Sequence, residues 1–396
     1  MRNEDDFLRA KGIPVDNKEE IFGSVEPVTE EKGDMIDFAL VEDEKAKDHI
    51  DHEVETVVDA SVALEAYAQI LKQNSYDGIS KQAAQAMRIG IARIDRLIGQ
   101  RSALVVALED EAYDKPRIGQ EKSEVSEKGL AGRAKELWKK FVELIKKWLE
   151  KLKHGLSKIK AGINNGKKRV EKLREDFANW SPNGPNGGKK ITIPAKQATL
   201  GYPGGKHVDM NEVLGVANWL HTQLNPAILK GYDTMRNLNG TESADQIREA
   251  AQVKIPPLPT FPASANVELV DNKIKFEVVS GEEVTVQVRS RSQISKTLDL
   301  CSKINDASDK NNEAIDKLFS ASMDLIDMDW ELRYKGNSEV ITVLQEAIGH
   351  LRDLVTQHRA MMLYVLHTNV AMFDIMGLER GDRTTEEAAS NPVFDE

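Results

Sequence analysis

An apolar stripe with steps of three and four residues runs through the middle of the chain, from Gly132 to Gly162. This spacing predicts an amphipathic α-helix about 40 Å long at 1.5 Å per residue. A helix of this kind needs neighbours that cover its apolar side, because most helical stability in proteins comes from packing. The sequence therefore predicts a protein built from long helices. The stripe consists of Ala134, Leu137, Trp138, Phe141, Val142, Ile145, Trp148, Leu149, Leu152, Leu156 and Ile159.

The composition agrees with solvated helices around a modest core. Of 396 residues, 40% are hydrophobic, 6% are aromatic and 30% are charged. Compact enzymes of this size usually contain about 45–50% apolar residues, so a doubly wound enzyme is disfavoured. No run of about 18 apolar residues occurs, so we expect no transmembrane helix. The acidic N-terminus lacks the apolar segment of a secretory signal.

The charges are unevenly distributed along the chain. Residues 1–60 contain 19 acidic and 7 basic residues, whereas residues 131–170 contain 13 basic and 3 acidic residues. The net charges of these segments are -12 and +10, within a total of -11. Such asymmetry indicates an interaction tail, an intramolecular cover for a basic surface, or simply an acidic leader beside a solvated helix.

Periodicity and turn residues divide the rest of the chain. Helices are predicted from about Asp48 to Asn74 and again through Ile98, with a turn between them. The basic helix is expected to be interrupted at 164–166 and to resume up to Trp180. The predicted segments are a flexible acidic leader and candidate propeptide (1–45), a helical hairpin (46–108), a linker (109–128), the basic amphipathic helix (129–180), a loop-rich helical region with a Pro-rich connector (181–264), a β-hairpin (265–290), a hairpin of long helices (291–380) and an acidic tail (381–396).

The second half contains the β structure and the longest helices. Residues 274–278 and 284–288 alternate apolar and polar side chains, which predicts two strands joined at Ser280–Glu283, and Asp271-Asn272 can join a further strand. A short strand is predicted at 191–193. The two C-terminal helices are expected to pack antiparallel with Leu351 buried, because the segment between them is short. The fold class is thus mainly α, with a small antiparallel β insert and a disordered acidic leader.

The sequence contains no recognisable catalytic or metal-binding arrangement. His49 and His52 share one predicted helical face, but two ligands do not make a metal site. Cys301 is the single cysteine, which excludes an intrachain disulfide and fits a small core residue in a protein made in a reducing cytoplasm. Neither a phosphate-binding loop nor a nucleophile elbow occurs. We therefore expect a protein that is not an enzyme and has no cofactor.

The lysine-rich helix carries most of the functional signal, and three interpretations stay open. It is a scaffold helix, a helix that contacts DNA phosphates without sequence preference, or a helix that lies in an anionic membrane with Trp138 and Trp148 at the lipid boundary. Sequence-specific DNA recognition is disfavoured, because arginine is scarce in this helix. The candidate polyanion contacts are Lys135, Lys139, Lys140, Lys146, Lys147 and Lys151.

The order of these segments resembles that of internal head (inner-body or prohead core) proteins of large contractile-tailed bacteriophages. Two regions carry the resemblance: the hairpin from Val54 to Gly99, and the Trp- and Lys-rich segment from Lys135 to Leu149. The resemblance implies a non-enzymatic virion protein inside the capsid, which is synthesised in the host cytoplasm. It would fill or organise the head interior beside the genome and could be ejected into the host.

The resemblance also implies partners and processing. The partners would be other capsid or prohead core proteins, packaged DNA and a head-maturation protease that cuts after glutamate. Ser24-Val25-Glu26 and Leu40-Val41-Glu42 fit such a protease, so the candidate cleavage positions follow Glu26 and Glu42. The competing hypothesis is a membrane-active helical effector or pore-forming protein that uses residues 132–160. A membrane is a partner only in that hypothesis.

Overall fold

The computed structural model describes residues 35–73, 81–98, 123–178, 180, 190–334 and 337–381. Helices dominate these residues, and four short strands form two separate antiparallel pairs. The helices are α1 (Met35–Gln73), α2 (Lys81–Leu97), α3 (Ser123–Ala178), α4 (Ala195–Gly201), α5 (Met210–Trp219), α6 (Asn225–Arg236), α7 (Ala244–Ala250), α8 (Arg291–Ile326), α9 (Trp330–Arg333) and α10 (Ser338–Arg380). The strands are β1 (Lys190–Ile193), β2 (Ala265–Val270), β3 (Lys273–Val278) and β4 (Val284–Gln287). The mainly α fold class is confirmed.

Helix α10 forms the centre of the fold. It packs against α1, α3, α8, the short helices α4–α7, and strands β1 and β3. Among the described residues, Glu339–Arg380 is long and apolar enough by length and composition to cross a membrane, with a mean hydropathy of 1.3 in its most apolar window. That window is 83% buried inside the protein. An apolar helix enclosed on all sides by other elements is the expected core of a large helical protein.

Helices α8 and α10 pack antiparallel, as predicted. Arg289, just before α8, pairs with Glu379 at the far end of α10, and Asn305 accepts a hydrogen bond from Asn369 at 2.8 Å. Leu351 has no exposed surface, which confirms its predicted burial. Helix α10 continues past Gly377 and ends at Arg380, and Gly381, whose φ is 85°, forms the left-handed cap.

Helix α3 extends without a break through the predicted interruption at Asn164–Gly166. Its 56 residues span about 84 Å, and it begins at Ser123, inside the predicted linker. Gly166 faces α8 so closely that a Cβ atom there would lie 2.9 Å from the Asn305 amide oxygen. The glycine therefore permits close helix packing. Buried Ile163 and Val170 on either side continue the apolar stripe.

Helix α1 begins at Met35, so the helix includes residues that the sequence assigns to a flexible leader ending at residue 45. Residues 1–34 lie outside the described residues, as do the predicted turn after Asn74 and the residues from 99 to 122. Val54, Val57 and Leu64 of α1 are buried and join the same core as the apolar stripe of α3. Helix α1 packs mainly against α3, and α2 makes a smaller contact with α1.

The predicted hairpin through Ser280–Glu283 is wrong, because β4 pairs with β1. The register runs from Lys190 opposite Gln287 to Ile193 opposite Val284. The backbone N–H of Gly281 donates a hydrogen bond to the Thr199 hydroxyl at 2.9 Å. This bond holds the segment before β4 against α4, close to β1. The predicted strand at 191–193 is confirmed, and so is the predicted connection through Asp271-Asn272, which joins β2 to β3.

Candidate nucleic-acid interface

The apolar stripe of α3 is buried within the protein. Leu137, Phe141 and Leu149 have no exposed surface, and Trp148 retains only 1% of its surface. Helices α1, α8 and α10 provide the contacts along this side of α3. In this fold, the stripe packs in a helical bundle. A lipid-bound α3 would require the bundle to open and expose Trp138 and Trp148.

The six predicted polyanion contacts lie in different environments. Lys139 pairs with Glu136 at 2.7 Å, Lys146 pairs with Asp327 of the α8–α9 connection at 2.7 Å, and Lys147 pairs with Glu143 at 2.8 Å. Lys140 donates to the carbonyl oxygen of Leu97, after which α2 ends. Lys135 and Lys151 have exposed side chains. The structure thus places the six on one helix but in different local surroundings.

The lysine–glutamate ion pairs on the surface of α3 reduce the positive charge that the helix presents to a ligand. The hydrogen bond with Lys147 lowers the pKa of the Glu143 carboxyl, and the same bond raises the pKa of the Lys147 amine. Both groups therefore stay ionised near neutral pH, and their fields cancel at a distance. Exposed pairs of this kind contribute little stability and weaken further with salt, so they leave the lysines available for exchange with a phosphate.

Beyond Lys151, the second half of α3 is joined to α8 and α10 by ion pairs that the sequence analysis missed. Lys167 pairs with Asp309 at 2.8 Å, and Arg174 pairs with Asp299 at 2.9 Å, both on α8. Arg169 pairs with the fully buried Asp374 of α10 at 2.7 Å. The seven-residue spacing of Asp299 and Asp306 puts these two acidic groups on one side of α8 and could have indicated the α8 pairs, whereas nothing in the sequence indicated Asp374.

Some lysines of α3 remain exposed to solvent along its outer side. They lie over about two thirds of the helix, and no exposed aromatic ring is interleaved with them in the described part of α3. This arrangement suits phosphate contacts without base recognition, because base stacking requires aromatic platforms. The exposed lysines are Lys135, Lys139, Lys147, Lys151, Lys153, Lys160, Lys168 and Lys172.

The most strongly buried ionic cluster ties the start of α8 to the end of α10. The guanidinium of Arg289 donates two hydrogen bonds to Glu379, at 2.6 and 2.7 Å, and the two side chains are 8% and 0% exposed. A third guanidinium nitrogen lies 2.7 Å from Nε2 of His207. Burial lowers the pKa of His207, and Arg289 adds to that shift. The closed bidentate geometry makes this cluster a structural clamp between the two long helices.

The described residues that the sequence analysis considered for catalysis or metal binding do not form a reactive or metal-binding group. Among the described residues, no group of three His, Cys, Asp or Glu is arranged to hold a metal ion, and the side chain of His49 lies outside them. Cys301 is fully buried, and burial raises its thiol pKa to about 12, which leaves it unreactive. Glu42 lies within α1, and Glu26 lies outside the described residues.

Comparison with known proteins assigns the family. Residues 31–255 match the family described as phiKZ-like phage internal head proteins, which is more than half of the chain. The matched segment begins just before α1 and ends after α7, so it contains the whole of α3. Comparisons with curated proteins and with solved structures give no significant match. The chain therefore belongs to the phiKZ-like phage internal head proteins and resides inside the phage head, in the virion.

Proposed function

We propose that this protein organises the head interior beside packaged DNA, as a structural component without a catalytic role. The observation that carries the proposal is the row of exposed lysines from Lys135 to Lys172, which extends for about 56 Å along a helix within the matched family segment. Its apolar side is used for packing, so the lysines are held on a rigid support. A rigid row of cations beside a phosphate backbone releases counterions and binds duplex DNA without sequence preference.

The ion pairs of α3 limit how many lysines contribute. Lys146 and Lys140 are joined to other elements of the fold, so replacing them would change packing as well as charge. Lys135, Lys139, Lys147 and Lys151 are exposed and belong to the predicted contact set, so they are the residues to test. Replacing all four by glutamine removes four positive charges and leaves the buried stripe intact.

Salt dependence of DNA retention tests this contact. The four-glutamine variant should bind duplex DNA more weakly than the natural protein, with a logarithmic salt slope reduced by about 3–4, since each phosphate contact contributes roughly 0.9. A matched control replaces Lys296, Lys303, Lys310 and Lys317 of α8, which are also exposed and whose helix carries interspersed acidic residues. Equal loss in both variants would mean that net charge matters and that α3 has no special role.

We also propose that the head-maturation protease removes the segment that ends at Glu26. The matched family segment begins at residue 31, so this cut leaves it complete, whereas a cut after Glu42 would divide α1. A helix must unfold locally before a protease can cut it, which favours Glu26 over Glu42. Removal of residues 1–26 takes away seven acidic and four basic residues and changes the net charge from -11 to -8. The product is repelled less by packaged DNA.

Mass spectrometry of the protein from purified virions tests the cleavage. The expected N-terminus is Pro27, and Glu26→Gln should block the cut while Glu42→Gln should leave it unchanged. An intact Met1 or Arg2 start would eliminate the propeptide, and an Asp43 start would show that α1 opens before cleavage. Ejection into the host stays a prediction, which the location of the protein after infection would test.

A further inference from the structure

Strands β2 and β3 form a regular hairpin on the surface of the molecule. Asp271 and Asn272 connect the two strands. Their φ angles of 51° and 60° are those of a type I′ turn, whose twist matches that of the flanking strands. The register places Val267 opposite Phe276 and Glu268 opposite Lys275. The hairpin contacts α10 mainly through β3, so β2 is the outer strand.

Hydrogen-bonding groups alternate between the two sides of β2. Val279 donates to the carbonyl oxygen of Ser264 at 2.8 Å, so even-numbered residues of β2 face β3. The N–H and C=O groups of Val267 and Leu269 therefore point away from the hairpin. The N–H of Ala265 is already bonded to the carbonyl oxygen of Pro262 at 2.9 Å. Within the described part of the chain, no strand pairs with this edge.

The two faces of β2 differ in character. Ala265, Val267 and Leu269 lie on the apolar face shared with Phe276, and Leu269 is 46% exposed. Asn266 and Glu268 are exposed on the opposite, polar face. An open edge with a partly exposed apolar row is a template for another strand, which natural proteins usually block.

From this edge we infer that two copies of the protein associate through β2, antiparallel, about a two-fold axis at Val267. The two hairpins then form one four-stranded sheet in which Val267 faces its symmetry mate. Val267 exchanges both of its backbone hydrogen bonds with that mate, and the Leu269 N–H donates to the Ala265 carbonyl oxygen of the other copy. An interface of this type uses the same patch twice and closes with two subunits.

Charge selects this register over its neighbour. With the axis at Val267, each Glu268 lies opposite Asn266 of the other copy, and the apolar rows join on one face. An axis at Glu268 would put two carboxylates directly opposite each other, which is destabilising. The interface is small, so association should be weak and should depend on protein concentration. This inference does not depend on the proposed DNA contact.

Sedimentation velocity of the full-length protein over a wide concentration range tests the dimer. Val267→Lys places two ammonium groups face to face and should leave only monomer. The control is Val279→Lys, the same change at a 48% exposed position outside β2, which should still dimerise. Asn266→Lys should strengthen association severalfold by attracting Glu268, and Asn266→Asp should weaken it by a similar factor, at low salt.

Disulfide trapping tests the register directly. Val267→Cys should form a covalent dimer on mild oxidation, because each thiol faces its mate, whereas Val279→Cys should remain monomeric. Cys301 has no exposed surface and does not compete. Circular dichroism of each variant confirms that it is folded. A protein that is monomeric at every concentration, or a dimer that Val267→Lys leaves unchanged and Val267→Cys does not trap, would overturn the inference.

Discussion

His358 lies in the middle of α10 with no exposed surface. Burial lowers its pKa to about 4, and the nearby His221 contributes to the shift. A neutral imidazole is therefore the form that the folded protein accepts. In the unfolded chain this residue binds a proton near its ordinary pKa of 6.5, which is a higher pH than the folded protein requires.

Acid should therefore destabilise the protein through His358. The pKa of His358 is lower in the folded protein than in the unfolded chain. The unfolding free energy that depends on a neutral His358 is therefore fully present above about pH 6.5. It is lost as the pH falls towards 4, by about 3 kcal/mol in total. His358→Phe should reduce the loss of unfolding free energy between pH 6.5 and 4, as measured by urea denaturation at a series of pH values, while His207, whose pKa is also lowered, keeps part of it. Exposed His52→Gln should leave the profile unchanged, and an unchanged profile for His358→Phe would contradict the assignment.

The buried pair of Arg289 and Glu379 supports a second prediction about single residues. Glu379→Gln leaves the guanidinium buried without a full charge partner and should lower the unfolding free energy by about 3–5 kcal/mol. Glu136→Gln breaks the exposed pair with Lys139 and should cost about 0–1 kcal/mol. Equal effects in chemical denaturation would mean that the clamp contributes no more than a surface pair.

At the scale of elements, the start of α8 is defined by local hydrogen bonds. The Ser290 hydroxyl accepts from the Gln293 N–H at 3.3 Å, and the Gln293 side chain accepts from the Ser290 N–H at 2.8 Å. This reciprocal arrangement is a capping box. It satisfies two backbone donors that the first turn of the helix leaves unpaired.

Ser290→Ala should therefore cost about 1 kcal/mol of unfolding free energy. Ser295→Ala, at an exposed position inside the same helix, should cost nothing or stabilise slightly, because alanine is the better helix former. Thermal unfolding of the two variants side by side measures the difference. A Ser290→Ala protein as stable as the Ser295→Ala protein would show that packing alone holds the start of α8.

At the scale of the whole molecule, the family segment and the core do not coincide. Residues 31–255 match the family, but the central helix α10 lies beyond them, and a single core joins both parts. A fragment ending at residue 255 would expose the apolar sides of α3 and of α4–α7. We expect that fragment to lack fixed tertiary packing, with near-ultraviolet circular dichroism lost and helical signal partly retained.

Deletion of residues 382–396 is the matched control for that truncation. It removes only chain after the cap at Gly381 and should leave the unfolding transition unchanged. A cooperative unfolding transition for the fragment ending at 255 would mean that the family segment is an independent domain and that α10 is an addition to it.

Local patterns were enough to predict the long helices and their polar and apolar sides, but not the short helices α4, α7 and α9. The stripe of α3 is buried as its spacing predicts, and Asp209 is a local N-cap of α5 that accepts a hydrogen bond from the Asn211 N–H at 2.9 Å. These features depend on neighbours three or four residues away, which the sequence contains directly. The candidate lysines were found in the same way, as one side of a periodic helix.

Partner choice across the chain was decided only by the tertiary structure. By its sequence, β4 could pair with either β3 or β1. In the fold it pairs with β1, and the hydrogen bond from the Gly281 N–H to the Thr199 hydroxyl holds the segment before β4 away from a hairpin with β3. Gly166 reads as a helix breaker by itself, but contact with Asn305 of α8 makes it a packing residue. The basic residues of α3 were countable in the sequence, yet the partners of Lys167 and Arg169 come from α8 and α10, more than a hundred residues away. Periodicity defines which side of an element is apolar, whereas only the folded chain determines what covers it.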